Sequence, residues 1–329
     1  MTHYNPQNLT LNYKQLEDKA EEVLSRLSIT DEQAAVLEQA TRKQTKSPIW
    51  FQQRAGRITA SNIKAAAHTS INKPSVSLIK RVCYPDAYKF ETSATRWGCD
   101  HERTAREAYF KVTASKHSSF SINDAGLFIN PDTPFIGATP DGLVHCDCCG
   151  DGVLEVKCPY SKKDVPMETA CADPSFYLST SDQGTQLKEN HQYYYQIQTQ
   201  LHSTKRKYCD FVVWIPSQIH IQRIEFNANF FKCILEKVSS FYKVCILFEV
   251  IGKWFTQSRP LAVQDLSATF GNEGQPTVWC YCRRADLKAQ FVSCYSDKCQ
   301  IKKFHMSCVK LKVAPKRKWF CKDCRKEEE

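Results

Sequence analysis

No stretch of the 329-residue chain approaches the roughly 18 consecutive apolar residues that a membrane-spanning helix needs. Met1 to Thr10 is polar and lacks the apolar core of a secretory leader. These two absences set the expectation of an intracellular protein. Charge imbalance is also missing from most of the chain. Residues 1–275 hold 31 Lys/Arg against 29 Asp/Glu, a net +2, whereas residues 276–329 hold 14 against 6, a net +8. A basic tail suits nucleic acid or an acidic surface, and suits plain solubility equally well. The seventeen cysteines do not follow a secreted disulfide framework either: seven fall in the last fifty residues at metal-ligand spacing, and ten are scattered through the rest. That distribution favours a reducing compartment with zinc. The length exceeds the roughly 100–200 residues of one ordinary domain, so two domains are expected.

The informative stretch is Thr139-Pro140-Asp141-Gly142-Leu143, followed by Val153-Leu154-Glu155-Val156-Lys157-Cys158-Pro159. Leu143-Val144 and Val153 to Val156 read as two strands, with Gly150 and Gly152 in the turn between them. Folding that hairpin brings Asp141 near Glu155. The two-residue period of a strand puts Glu155 and Lys157 on one face and Leu154, Val156 and Cys158 on the other. Two carboxylates and a lysine at one point suit a hard divalent cation and a water oriented for attack. A solvated strand edge with a Glu/Lys pair fits the same residues.

Upstream, Leu11, Leu16, Ala20, Val23, Leu24 and Leu27 recur at helical spacing, and Thr30-Asp31-Glu32-Gln33 has the form of a capping box. Ser47-Pro48 opens a further helix carrying Trp50, Phe51 and Arg54 up to Gly56. In Arg57-Ile58-Thr59-Ala60-Ser61-Asn62, Thr59 or Ser61 caps a helix running through Ala67. Hydroxyls at a helix start with Arg54 and Arg57 nearby make an anion-site candidate, alongside the plainer reading of a capped helix. The helix from Trp97 to Tyr109 sets Glu102, Ala105 and Tyr109 on one face. A carboxylate on that small-residue face is placed to add an oxygen to the same metal centre.

Together these elements resemble the phage lambda exonuclease and YqaJ-type viral recombinase family, a branch of the PD-(D/E)XK nuclease fold. The likeness rests on Trp50-x-x-x-Arg54-x-Gly56-x-Ile58-Thr59-Ala60-Ser61, Trp97-Gly98-x-x-x-Glu102-x-x-Ala105, Thr139-Pro140-Asp141-Gly142, Leu154 to Pro159 and Tyr193-Tyr194-Tyr195-Gln196-Ile197-Gln198. It covers roughly residues 45–225. The resemblance implies a restriction-endonuclease-like core, a mixed sheet flanked by helices. It implies Glu102, Asp141 and Glu155 as ligands of Mg²⁺ or Mn²⁺, Lys157 as the residue positioning the water, and Gln196 as support. Arg54 and Ser61 match the family's 5′-phosphate residues, with Trp50 and Arg57 as further DNA-binding candidates, and the phage enzyme implies a ring-shaped trimer. Asp132, in Asn130-Pro131-Asp132-Thr133-Pro134, is the candidate for a further family acid. His145-Cys146-Asp147-Cys148-Cys149 has no counterpart in the pattern. Three cysteines so close suit zinc or another soft metal, but the spacing is tighter than a Cys-x-x-Cys knuckle, and an incidental reduced-thiol turn is expected.

Ser161 to Glu189, with Pro166, Pro174, Asp182 and Gly184, reads as a loop or lid. A helix from about Asn190 to Ser203 follows, with Tyr193, Gln196, Ile197 and Gln200 on one face. Then come strands Tyr208 to Ile215 and Ile219 to Phe226 around Pro216-Ser217, and a closing helix from about Asn227 to Phe248. Residues 257–277 read as a linker, which divides the chain into a helical segment 1–45, a nuclease domain 46–256 and a module 278–326. In the module Cys280-x-Cys282, Cys294-x4-Cys299, His305-x2-Cys308 and Cys321-x2-Cys324 supply eight ligands, enough for two tetrahedral Zn²⁺. This order, with Trp319 two residues before Cys321, resembles a plant homeodomain (PHD) finger. The resemblance implies a cross-brace in which Cys280, Cys282, His305 and Cys308 hold one zinc and Cys294, Cys299, Cys321 and Cys324 the other. It is similar to inhibitor-of-growth fingers, which read methylated lysine in a histone tail. Trp279 and Phe291 are the cage candidates. Lys303 and Tyr295 depart from that pattern and disfavour a trimethyl-lysine ligand, so an unmodified tail, another protein or DNA stays open.

The expectation from sequence is a nuclear, metal-dependent DNA nuclease, a 5′-to-3′ exonuclease on duplex ends, joined to a PHD finger that anchors it to chromatin or a partner. The alternatives are a chromatin adaptor whose nuclease fold only grips DNA, and a mobile-element endonuclease.

Overall fold

The structure, a computed structural model, describes residues 5–87, 92–256, 280–282, 290–296, 299, 301–311, 313–315 and 317–325. Trp279 and the whole of the 257–277 segment lie outside the described residues.

The chain opens with two helices whose starts are fixed by reciprocal caps. In α1 (Tyr13–Arg26) Asn12 and Gln15 satisfy each other's backbone N–H groups, and in α2 (Asp31–Ala40) Thr30 and Gln33 do the same. Next come α3 (Pro48–Arg54), β1 (Ile58–Thr59), α4 (Ile63–His68), α5 (Val76–Cys83) and α6 (Ser93–Ala114). Ser47 precedes α3 without a side-chain cap bond, and Gly56, at φ 75°, turns the chain out of it. α6 is capped by Thr92 and Thr95 in the same reciprocal way as α1 and α2.

After α6 come β2 (Ser121–Asn123), β3 (Ile136–Gly137), β4 (Gly142–Cys146) and β5 (Gly150–Lys157). The segment read as a loop or lid is folded instead. It holds α7 (Met167–Ala172) and a hairpin of β6 (Leu178–Ser181) and β7 (Gly184–Leu187). Met167, Phe176, Tyr177, Leu178 and Leu187 pack into the sheet's core, which is why a polar-looking stretch is ordered. Then α8 (Gln192–Thr204), β8 (Tyr208–Ile215), β9 (Gln218–Glu225) and α9 (Ala228–Phe241) follow. A π-helical turn, Tyr242–Ile246, runs straight on into α10 (Leu247–Gly252).

The central sheet has the order β2-β4-β5-β8-β9, antiparallel at every step except the parallel pair β5/β8. Strand alternation separates its two faces. Val153, Cys209, Phe211 and Val213 pack with Tyr194, Ile197 and Leu201 of α8. Val144, Leu154, Val156 and Val212 pack with Ala105 and Tyr109 of α6. This is the mixed sheet flanked by helices expected from sequence. The N-terminal helices belong to the same body: Leu16 and Ala20 of α1 share a core with Phe241, Ile246 and Phe248. Glu38 and Thr41 accept the backbone N–H groups of Gly126 and Leu127 at 2.8 and 2.7 Å.

Gly152 is not in the turn. It lies within β5, where a Cβ would fall 2.2 Å from the Tyr208 ring, so this strand position admits no side chain. Gly150, at φ 72°, carries the turn's reversal.

In the C-terminal module β10 (Phe291–Ser293) and β11 (Lys303–His305) form an antiparallel pair, and a single helical turn, Lys322–Arg325, holds the last cysteine.

Candidate active site and metal centres

β5 carries Glu155 and Lys157 on the face covered by α8. Asp141 enters from the residue before β4: its N–H donates to Leu154 O at 3.0 Å and its Oδ2 accepts from Val156 N at 2.7 Å. Hairpin pairing therefore fixes Asp141 beside Glu155 through backbone bonds. Lys157 donates its Nζ to Glu155 Oε1, and the same ammonium lies 4.7 Å from the Tyr193 ring centroid. Gln196 Nε2 donates to Glu155 Oε1 at 2.5 Å, and Gln200 Nε2 to Oε2 at 2.6 Å. Glu155 is 1% exposed, so these donors are what keeps its carboxylate satisfied in the core. Gln196 and Gln200 are one helical turn apart, which is why both reach one carboxyl group.

Glu102 comes from α6, in the opposite layer, and its charge is felt by Asp141. Burial pushes the Glu102 carboxyl up, with the Glu155 charge adding to it, against the pull of Arg106. Asp141 is pushed well above the ordinary carboxyl range, first by burial, then by Glu155. For Lys157, burial opposes the charged form, but Glu155 and Asp141 outweigh it and its pKa rises. Two acids beside one ammonium, with Glu102 near enough to feel their charge, are a donor set with a deficit of positive charge. A hard divalent cation fits that deficit and the all-oxygen donors. The ammonium of Lys157 faces Glu155 directly, and the three carboxylates are not among the described groups drawn within 4.8 Å of one another.

The anion-site candidates part ways. Arg54 lies with its guanidinium carbon 3.7 Å from the Trp50 ring centroid, and burial lowers its pKa to about 10, which leaves it charged at neutral pH. Ser61 is exposed, its Oγ 3.1 Å from Thr59 Oγ1. Arg57 does not belong with them. It is 6% exposed, and its guanidinium donates to Pro134 O at 2.9 Å and to the backbone and side chain of Gln53, so it is spent inside the fold rather than offered to DNA. Trp50 is also buried. Its Nε1 donates to Thr139 Oγ1 at 3.1 Å, which ties the floor under Arg54 to the strand entry that carries Asp141. Asp132 lines an open cleft with Asn130, His202 and Lys205, apart from the acidic cluster.

Helical spacing sets Gln200 on the face of Gln196 without assigning it to the site, and that spacing of four was the available signal. That Tyr193 would lie beside the Lys157 ammonium had no signal in the sequence, because the two belong to different elements.

Among the described residues, three groups gather metal-type donors within 4.8 Å: Cys280, Cys282, His305 and Cys308; Cys294, Cys299, Cys321 and Cys324; and His117, Cys146, Cys148 and Cys149. The first two reproduce the interleaved pairing of a cross-brace. His305 Nδ1 lies 3.1 Å from Cys282 Sγ and 3.8 Å from Cys308 Sγ, and the Cys299 and Cys321 sulfurs are 3.8 Å apart. The cysteines of both sets are free thiols, so both suit zinc. The Phe291 ring centroid stands 4.7 Å from that of His305, at 37% exposure, while Lys318 Nζ sits 4.0 Å from the Tyr295 ring centroid.

Residues 49–207 match the family model of the YqaJ-like viral recombinase domain. The segment is similar to that domain over just under half of the chain. Two solved structures resemble the chain around this domain. The LHK-Exo complex with dAMP is 25% identical at a TM-score of 0.46, covering 61% of this chain and 93% of that one. A SOX–DNA complex is 13% identical at a TM-score of 0.47, covering 75% of each. The C-terminal region is similar to the PHD fingers of inhibitor-of-growth proteins. Protein YNG1 of Saccharomyces cerevisiae is 39% identical over 69 residues, and inhibitor of growth protein 1 of Mus musculus is 42% identical over 55. These matches cover 21% and 17% of this chain and 31% and 19% of the two relatives, so the chain spans about a third or less of their length. Behind the stretch that matches the YqaJ-like model, then, stands a region similar to inhibitor-of-growth fingers. No helix among the described residues is long and apolar enough to cross a membrane.

Proposed function

We propose that the protein is a divalent-metal-dependent deoxyribonuclease acting 5′ to 3′ on duplex ends, with a finger that directs it to chromatin or a partner in the nucleus. Its units are a nuclease domain over residues 46–256, with helices 1–45 packed on it, a linker 257–277 and a two-zinc finger over 278–326. The observation that carries this reading is the meeting of Asp141, Glu155 and Lys157 at the α8 face of β5, with Glu102 approaching from the other layer. Holding Asp141 and Glu155 beside each other in a largely buried place, with the charge of Glu102 acting on both, is costly unless a cation is bound there.

Glu102, Asp141 and Glu155 are the residues that would hold Mg²⁺ or Mn²⁺. Bound there, the ion supplies Lewis-acid stabilisation of the phosphoryl group and lowers the pKa of a water. The chain's own residues do the rest. Lys157, kept protonated by its acidic neighbours, holds the attacking water in line and neutralises charge on the phosphate as it develops. Gln196 and Gln200 fix the Glu155 carboxylate so that its rotamer does not wander between turnovers. Arg54, lying over Trp50, and the exposed Ser61 hydroxyl receive the terminal 5′-phosphate. The resemblance to the phage enzyme extends the reading to a homo-oligomer.

The finger's partner is a histone tail or a chromatin protein. Phe291 is available on its surface. Lys303, at the start of β11, repels a cationic side chain, which favours a ligand other than trimethyl-lysine.

The test incubates the chain with Mg²⁺ and linear duplexes bearing 5′-phosphate or 5′-hydroxyl ends, beside a closed circle. Loss of the linear substrates, fastest for 5′-phosphate, supports the exonuclease. Cutting of the circle means an endonuclease, and no cleavage at all means a DNA-gripping adaptor. Lys157→Ala and Asp141→Ala are expected to abolish cleavage and leave DNA binding in place; cleavage surviving in both refutes the assigned site.

A further inference from the structure

The third donor group is unrelated to the acidic cluster and to the finger. The hairpin sequence Cys146-Asp147-Cys148-Cys149 supplies three thiols, and the loop after α6 supplies His117. His117 Nδ1 lies 3.1 Å from Cys148 Sγ and 3.5 Å from both Cys146 Sγ and Cys149 Sγ. Cys148 Sγ is 3.5 Å from Cys146 Sγ and 3.9 Å from Cys149 Sγ. A tetrahedral zinc, with Zn–S of about 2.3 Å and Zn–N of about 2.0 Å, requires S···S edges of about 3.8 Å and S···N edges of about 3.5 Å. The observed separations are close to the edges of such a tetrahedron. They are too long for disulfides, and one ring nitrogen facing three sulfurs is more than chance contact supplies.

We propose that His117, Cys146, Cys148 and Cys149 form a zinc site of three thiolates and one imidazole that locks the β4–β5 hairpin to the loop leaving α6.

The surroundings are built for it. Cys146 is fully buried at the end of β4, and Cys149 N–H donates to its sulfur at 3.3 Å, a bond that steadies a thiolate ligand. The two arms are joined independently of any metal: Asp147 N–H donates to Ser118 O at 3.0 Å, and Ser119 Oγ to Asp147 Oδ2 at 2.6 Å. The donors are therefore presented in place rather than gathered by the ion. Three thiolates on Zn²⁺ leave one negative charge, and Arg223, anchored on Asp210 and near enough for its charge to act on Cys149, lies ready to balance it. Tight spacing of the cysteines, which excludes an ordinary knuckle, is no obstacle once the fourth ligand arrives from 29 residues away.

The full-length chain, purified with zinc and desalted, is expected to hold one zinc more than the finger's two sets account for. Cys148→Ser and Cys149→Ser should each lose that one equivalent by elemental analysis, while Cys294→Ser leaves it. A further variant guards against loss of structure. His117→Cys converts the set to four thiolates, and in the cobalt-substituted chain it should keep the metal while intensifying the thiolate-to-cobalt charge-transfer band. Equal zinc content in the wild type, Cys148→Ser and Cys149→Ser overturns the proposal, as does a cobalt spectrum unchanged by His117→Cys.

Discussion

Gln200 donates from Nε2 to Glu155 Oε2 at 2.6 Å, in a core where Glu155 is 1% exposed and Gln200 not at all. Gln196 and Lys157 both meet the other carboxylate oxygen, so among the described side chains it is Gln200 that holds Oε2.

Gln200→Leu keeps the volume and removes the donor. The expected cost is about 1–3 kcal/mol of stability, from leaving a buried carboxylate oxygen unpaired. Cleavage should fall by about a hundredfold, because a ligand of the metal is no longer held in place. Thermal melting and steady-state cleavage read the two effects separately. Full activity with lowered stability would show that Gln200 serves only the core.

Asp210 organises the other face of the sheet. It accepts from Tyr109 Oη at 2.6 Å and from Arg223 Nε and Nη2 at 2.8 and 3.0 Å. Asp210→Ala is expected to lower unfolding free energy by about 3 kcal/mol, the low end for breaking a buried pair, since Arg223 keeps partial access to water. Urea unfolding measures it. A loss below about 1 kcal/mol would mean that water replaces the carboxylate at no great cost.

His202 is half-buried, stacked on Phe231 with Nε2 2.9 Å from Thr133 Oγ1, and burial lowers its pKa to about 4. His191, capping α8, is lowered to about 4 by burial and then by Lys64. Both pKa values are depressed relative to the unfolded chain, which binds the proton near about pH 6.5. Between about pH 6.5 and 4 the unfolded state therefore carries more protons, and stability falls as the pH falls through that window. Above it the contribution is complete. Denaturant unfolding in mildly acidic and in neutral buffer should show the drop, and His202→Gln, which keeps a partner for Thr133 and does not titrate, should reduce it. An equal drop in the variant would place the acid sensitivity elsewhere.

Much of this could be read from the residues in order, because the deciding relations are local. A strand's two-residue period alone puts Glu155 and Lys157 together and apart from Leu154 and Val156. The caps of α1 and α2 join residues three apart, and the interleaved pairing that the resemblance to a PHD finger implies is the one the donor groups between Cys280 and Cys324 reproduce. Arg57 shows the limit. As a sequence it is a basic residue beside a candidate anion site, and nothing within reach of its spacing says that Pro134 and Gln53 will consume its guanidinium.

The order of residues thus settles the chemistry on offer: a carboxylate and a lysine on one strand face, an arginine after a tryptophan, eight zinc-type ligands in a fixed order. Which of those groups meet is settled by packing. Gln200 reaches Glu155 across 45 residues, His117 reaches Cys148 across 31, and the 161–189 segment is ordered because its apolar residues find the sheet. Hydrogen bonds, burial and metal geometry depend on distances in space, and alternation and helical spacing carry that information only as far as one element extends.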